Sequence, residues 1–94
     1  MTIRKSMRPI LRREHHRVKK AKGRTRKAGG VSNLSPTEWL EILDTYMWLC
    51  AFCGKDEITM EHLVPLKMGG GTVKGNCVPA CERCNHGFNT SLVN

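Results

Sequence analysis

The sequence predicts a small α+β domain, and three observations carry that prediction. Ninety-four residues make one domain with a modest surface to bury, so some form of staple is expected. Two Cys-x-x-Cys pairs, Cys50/Cys53 and Cys81/Cys84, stand 27 residues apart. Around and between them the apolar pattern changes from helical spacing to alternation and back again. The expected order is helix, cysteine knuckle, strand, loop, strand, helix.

Charge divides the chain before any element is assigned. Residues 1–30 carry twelve Lys or Arg against the single acid Glu14, whereas residues 31–94 carry four basic and seven acidic side chains. The net charge of +8 therefore belongs to one end. Residues 1–33 read as a basic, flexible tail, because a segment so charged and so poor in large apolar groups after Val18 cannot offset its own ordering entropy. Within it, Pro9, Ile10, Leu11, Glu14, His15 and Val18 allow a short helix, and His15 and His16 are read as bystanders. Arg12, Arg13, Arg17, Lys19, Lys20, Lys22, Arg24, Arg26 and Lys27 are the expected nucleic-acid contacts, since such charges neutralise phosphates and release counterions.

The folded part is expected over residues 34–94. Ser35-Pro36-Thr37-Glu38 matches a capping box with Pro at the first helical position. Trp39, Ile42, Leu43, Tyr46 and Met47 then recur at helical spacing and form the expected core-facing side. Gly54 permits the turn after the first cysteine pair. Ile58–Val64 reads as a strand that Pro65 ends, Gly69–Gly71 as a flexible connection, and Thr72–Val78 as a second strand. From Ala80 the pattern turns helical and carries Cys81, Cys84 and Asn85.

No apolar run reaches the roughly 18 residues needed to span a bilayer, and no apolar signal-peptide core is present. An intracellular, cytoplasmic protein without membrane contact is expected. The lysine-dense, serine-poor start argues against a mitochondrial transit peptide. In a reducing compartment, paired Cys-x-x-Cys motifs bind metal, and an odd total of five cysteines fits disulfides poorly. Cys50, Cys53, Cys81 and Cys84 are the expected ligands of a structural Zn²⁺, and Cys77 is left as an apolar filler of the second strand. A thioredoxin-like redox role needs only one pair and leaves the other unexplained. Four thiolates also close the coordination sphere, so any chemistry must use other residues.

Glu61-His62, Pro65-Leu66, Gly69-Gly70, Asn76 and Cys81-Glu82-Arg83-Cys84-Asn85 together resemble the HNH endonuclease motif in its zinc-stapled form. The resemblance covers about residues 36–86 and implies the ββα-metal fold, related to treble-clef zinc fingers. It implies His62 as the general base, Glu61 and Asn85 as oxygen ligands of one catalytic Mg²⁺ or Mn²⁺, and Asn76 as a brace of the loop after the first strand. A neutral imidazole with an ordinary pKa of about 6.5 accepts a proton at neutral pH, which suits that base. Double-stranded DNA is the implied substrate, with 5′-phosphate and 3′-hydroxyl products. Small free-standing members occur in phages and bacteria, which suggests a bacterial or phage-infected host.

Two departures from the motif stand out. Glu61 occupies a position usually held by Asp, and Phe88 stands where a Lys is common; His86 and Asn89 are then alternative third site residues. Adjacent strand residues point to opposite faces, so Glu61 and His62 reach one phosphate only if the strand ends there. A homodimer or partner protein is one route to double-strand cutting, since each chain has one site. The rival reading is a non-catalytic treble-clef module that binds DNA or RNA. It explains the zinc and the charge but gives Glu61-His62 no task.

Overall fold

A computed structural model describes residues 8–85. Helix α1 (Arg8–Lys27) is followed by α2 (Pro36–Thr45), strand β1 (Thr59–His62), single 3₁₀ turns at Leu66–Met68 and Lys74–Asn76, and strand β2 (Cys77–Ala80). A helical turn occupies 82–85. The chain is a small α+β domain in which β1 and β2 form an antiparallel hairpin sheet, with Thr59 opposite Ala80 and His62 opposite Cys77.

The basic segment is where structure and expectation part. Instead of a short helix within a disordered tail, residues 8–27 form a 20-residue helix docked on the domain. Leu11, Glu14, Val18, Ala21 and Thr25 recur at alternating steps of three and four, which places them along one seam. Glu14, Val18, Ala21 and Thr25 of that seam are buried. Two of these are polar, and each has partners that make its burial tolerable. Glu14 Oε1 accepts from Trp39 Nε1 at 3.0 Å and from Arg17 at 3.1 Å, and Oε2 accepts from Arg13 Nε at 2.9 Å. A fully buried carboxylate is stable only when so paired.

Helix α2 starts as its sequence dictates. The Ser35 hydroxyl accepts from Glu38 N at 3.0 Å, and the Glu38 carboxylate accepts from Ser35 N at 2.9 Å. Trp39, Ile42 and Leu43 are buried, and with Val18, Ala21, Leu34, Met60 and Cys77 they make the main core. Burying Trp39, Leu34 and Leu43 completely contributes on the order of 2 kcal/mol each. The apolar stripe stops earlier than expected. Met47 and Trp48 take left-handed backbone angles (φ 57° and 59°) that end the helix, leaving Tyr46 and Met47 exposed.

Both strands are shorter than their patterns suggest. β1 stops at His62 because Asn76 captures the next two residues: its backbone carbonyl accepts from Leu63 N at 2.9 Å, and its side chain holds Val64. Asn76 Oδ1 accepts from Val64 N at 2.7 Å, and Asn76 Nδ2 donates to Val64 O at 3.1 Å and Gly71 O at 2.9 Å. The glycine run is likewise no slack connection. A Cβ on Gly70 would collide with the Val64 carbonyl, and one on Gly71 would lie 2.5 Å from the Val31 carbonyl. Val31 O accepts from Thr72 N, and Thr72 O accepts from Asn33 N and Leu34 N, so the α1–α2 linker is clipped to this loop.

Candidate active site and zinc centre

The two cysteine pairs converge. The four Sγ atoms of Cys50, Cys53, Cys81 and Cys84 lie within 4.8 Å of one another, and Cys53 and Cys81 are 3.6 Å apart. A tetrahedral zinc with Zn–S bonds of about 2.3 Å requires sulfurs roughly 3.8 Å apart, so the cage has the right size. Each pair makes a knuckle in which a backbone amide points at the first sulfur: Phe52 N to Cys50 Sγ and Cys84 N to Cys81 Sγ, both 3.4 Å. Burial raises the Cys50 thiol, but the backbone amides of Cys81, Phe52 and Cys53 outweigh it and lower it to about 6. Cys84 is pushed up to about 12, chiefly by the Cys53 side chain. Sulfurs this crowded cannot all ionise without a cation, and these four cysteines fit Zn²⁺. Cys77 stands apart, buried under the sheet and raised by that burial to about 11, so it remains a thiol.

Cys50 N donates to Lys55 O, and Ala51 N donates to Pro79 O, which ties the first knuckle to β2. Pro79 can sit there because its strand has one neighbour only and its missing N–H is not needed. The second pair follows β2 directly. The four-cysteine cluster therefore sits at the end of the hairpin at which β1 begins, next to the turn that carries Asn85.

His62 closes β1 and is 8% exposed. Its Nε2 lies 2.9 Å from Thr72 Oγ1. Thr72 Oγ1 is in turn hydrogen-bonded to Thr25 Oγ1, and Thr25 Oγ1 donates to the Ala21 carbonyl at 2.9 Å. Thr72 Oγ1 also lies 3.4 Å from that carbonyl. A carbonyl only accepts, so the protons in this chain run toward Ala21 O: from Thr25, from Thr72 toward Thr25 or Ala21, and from His62 Nε2 toward Thr72. The neutral imidazole is thereby fixed with its proton on Nε2 and its lone pair on Nδ1. Burial lowers the His62 pKa, and Arg24 lowers it further. Both effects keep the ring neutral.

Asn85 lies alongside the start of the same strand, its Nδ2 donating to Thr59 Oγ1 at 3.2 Å and to Met60 O at 3.5 Å. Glu61 sits between those contacts and His62 and is 3% exposed. By strand alternation Glu61 shares a face with Thr59, while His62 shares one with Met60. The Asn85 anchor and His62 are thus two to three residues apart on one strand, roughly 7–10 Å. His86, Phe88 and Asn89 lie outside the described residues.

A groove of about 630 Å³ opens beside this strand. It is lined by Arg13, His16, Arg17, Lys20 and Arg24 of α1, Thr59 and Met60 of β1, and Glu82 and Asn85 of the last helical turn. Of the nine expected phosphate contacts, Arg13, Arg17, Lys20 and Arg24 line it; Arg12, Lys19, Lys22, Arg26 and Lys27 do not. Sequence reasoning missed Thr25, Thr72, Thr59 and His16. Thr25 had a signal, its place on the three-four seam; Thr72 had none, because its importance comes from where the loop and α1 meet.

A model of the HNH endonuclease family matches residues 50–94. The match takes in both cysteine pairs, both strands and the loop held by Asn76, and it leaves out α1 and α2. It supports the family resemblance drawn from Glu61-His62, Asn76 and the cysteine spacing. No curated protein matches the chain.

Proposed function

With residues 50–94 matching the HNH endonuclease family, we propose that this chain is a metal-dependent endonuclease that hydrolyses phosphodiester bonds of double-stranded DNA in the cytoplasm of a bacterium or of a phage-infected host. The observation that carries the reading furthest is the buried His62 at the end of β1, held as a neutral base by Thr72. His62 Nδ1 accepts a proton from the attacking water, while Nε2 stays bonded to Thr72 throughout. A base pinned through its other nitrogen needs no reorientation as the proton arrives.

Glu61 and Asn85 offer a carboxylate and an amide oxygen, a donor set that suits a hard divalent ion such as Mg²⁺ or Mn²⁺. Such an ion, when bound, stabilises the charge that grows on the phosphate and the leaving 3′ oxygen. The chain's own part is to hold Glu61 in the sheet next to His62 and Asn85 against Thr59, leaving the length of strand between the Asn85 anchor and His62 for a phosphate and a water. Asn76 acts at one remove by stopping the ladder at His62. Basic residues of α1 supply the affinity for the duplex. A second cut in the opposite strand requires a second copy, a partner protein or a second binding event.

The test of this ion site is metal-dependent. Glu61→Gln and Asn85→Ala should each raise the Mn²⁺ concentration for half-maximal plasmid cutting by about tenfold or more, consistent with loss of one oxygen ligand. The same Mn²⁺ dependence in both variants as in the wild type would remove these residues from the ion site.

A further inference from the structure

The nine basic residues that sequence alone treats as equivalent nucleic-acid contacts are not equivalent in the fold. Arg13, Arg17, Lys20 and Arg24 line the groove. Their spacing of four, three and four residues puts them in one stripe, one position off the buried seam of Glu14, Val18, Ala21 and Thr25. Arg12, Lys19, Arg26 and Lys27 are exposed and lie off the groove.

The stripe is also held in place. Glu14 grips the guanidinium groups of Arg13 and Arg17, and Arg17 donates as well to Ile58 O at 3.0 Å, just before β1. Lys20 and Arg24 have no ion-pair partner among the described residues. Among the described residues, Glu82 is the one acidic side chain in the lining. A polyanion in this groove is therefore drawn to the α1 stripe and repelled by Glu82. From Arg13 to Arg24 the stripe runs about 17 Å, at roughly 1.5 Å per residue. That spans about five base-pair steps measured along a duplex axis, at about 3.4 Å of rise per step.

We propose that this groove is the track for the sugar-phosphate backbone of the strand being cut, with Lys20 and Arg24 as its phosphate contacts and Arg13 and Arg17 as a pre-positioned second pair. Helix α1 is then one wall of the substrate channel, and its outward charges add only general attraction. Calling it the strand being cut rests on the nuclease reading; the binding track itself does not.

The experiment compares two double variants of the full chain that change net charge equally, Lys20→Gln/Arg24→Gln in the groove and Lys19→Gln/Arg26→Gln outside it. Binding to a fluorescently labelled DNA duplex is measured over a series of KCl concentrations with no divalent metal added, after zinc content and melting temperature are checked. Loss of two phosphate contacts should reduce the slope of log affinity against log salt by about 2 in the groove variant. Its affinity at a given salt should fall at least tenfold, and the outside variant should lose less than half as much of the slope. Equal losses overturn the track. Should the double groove variant fold poorly, Lys20→Gln against Lys19→Gln makes the same comparison and is judged by the same criterion. A wild type that shows this binding pattern but cuts no DNA with any divalent ion sinks the nuclease reading and leaves the track; cutting with equal losses does the reverse.

Discussion

The hydroxyls of Thr25 and Thr72 are hydrogen-bonded to each other, and through this bond the basic helix touches the histidine at the end of β1. Both threonines are fully buried. Helix α1 is consequently part of the site's support as well as a carrier of charge. Because the Ala21 carbonyl terminates the chain of bonds, the helix also decides which imidazole nitrogen of His62 carries the proton.

Removing that support should weaken catalysis more than binding. Thr72→Val keeps the shape but takes away the partner of His62 Nε2, and Thr25→Val takes away the group that orients Thr72. Each should cost about 1–2 kcal/mol of stability. The single-turnover cutting rate should fall about tenfold or more for Thr72→Val with DNA affinity little changed, and Thr72→Ser should restore it. Thermal melts and single-turnover assays check both parts; a rate unchanged in Thr72→Val would mean the hydroxyl is structural only.

Glu14 should hold α1 on the domain. Glu14→Ala leaves the buried Trp39 Nε1 without its acceptor, which costs about 1–3 kcal/mol, and frees the part-exposed guanidinium groups of Arg13 and Arg17 to turn to solvent. Hydrogen exchange should show residues 8–27 losing protection while the zinc end keeps its own. Protection that stays uniform along α1 would show that the apolar seam alone is sufficient.

Much of this was legible before any coordinates, and the reasons for the gaps are physical. The α2 start, the zinc cage and the strand-loop-strand order follow from short-range rules: a capping box, a two-residue chelate spacing, alternation. The full length of α1 is hidden because its charge looks like solvation. The three-four seam is present in the sequence, but two of its positions hold Glu14 and Thr25, whose burial makes sense only once Trp39, Arg17 and Thr72 are seen around them. Gly70 and Gly71 look like slack in the sequence for a related reason, since close approach of the Val64 and Val31 carbonyls is a tertiary fact. His62, Asn76 and Asn85 could be named from the motif, whereas Thr72 could not.

Zinc should be required for the fold and should come at one ion per chain. Binding to four thiolates is worth on the order of 10 kcal/mol in small zinc domains, comparable with the whole stability expected here. Chelation or Cys81→Ser should abolish the cooperative melt, while Cys77→Ala should keep full zinc content. Elemental analysis with circular dichroism melts decides this, and a melt indifferent to chelator would contradict it.

The pH response of His62 follows from its surroundings. Burial first and the Arg24 guanidinium second hold its imidazole below the ordinary range. As pH falls the unfolded chain takes up that proton first, so the contribution is intact above about pH 6.5 and is lost as pH drops through the folded-state value. NMR titration of the zinc-loaded protein without Mg²⁺ should place His62 below 6.5, and Arg24→Gln should move it upward. A value above 6.5 in the wild type would contradict the burial seen here.

The most direct measurement is plasmid cutting by zinc-loaded protein with Mg²⁺ or Mn²⁺, wild type beside His62→Ala. Nicked or linear plasmid with wild type, and at least a hundredfold less with His62→Ala, is expected for loss of a general base. Equal cutting by the two proteins, or none by the wild type with any divalent ion, would contradict the assignment of His62 as the base of a metal-dependent nuclease.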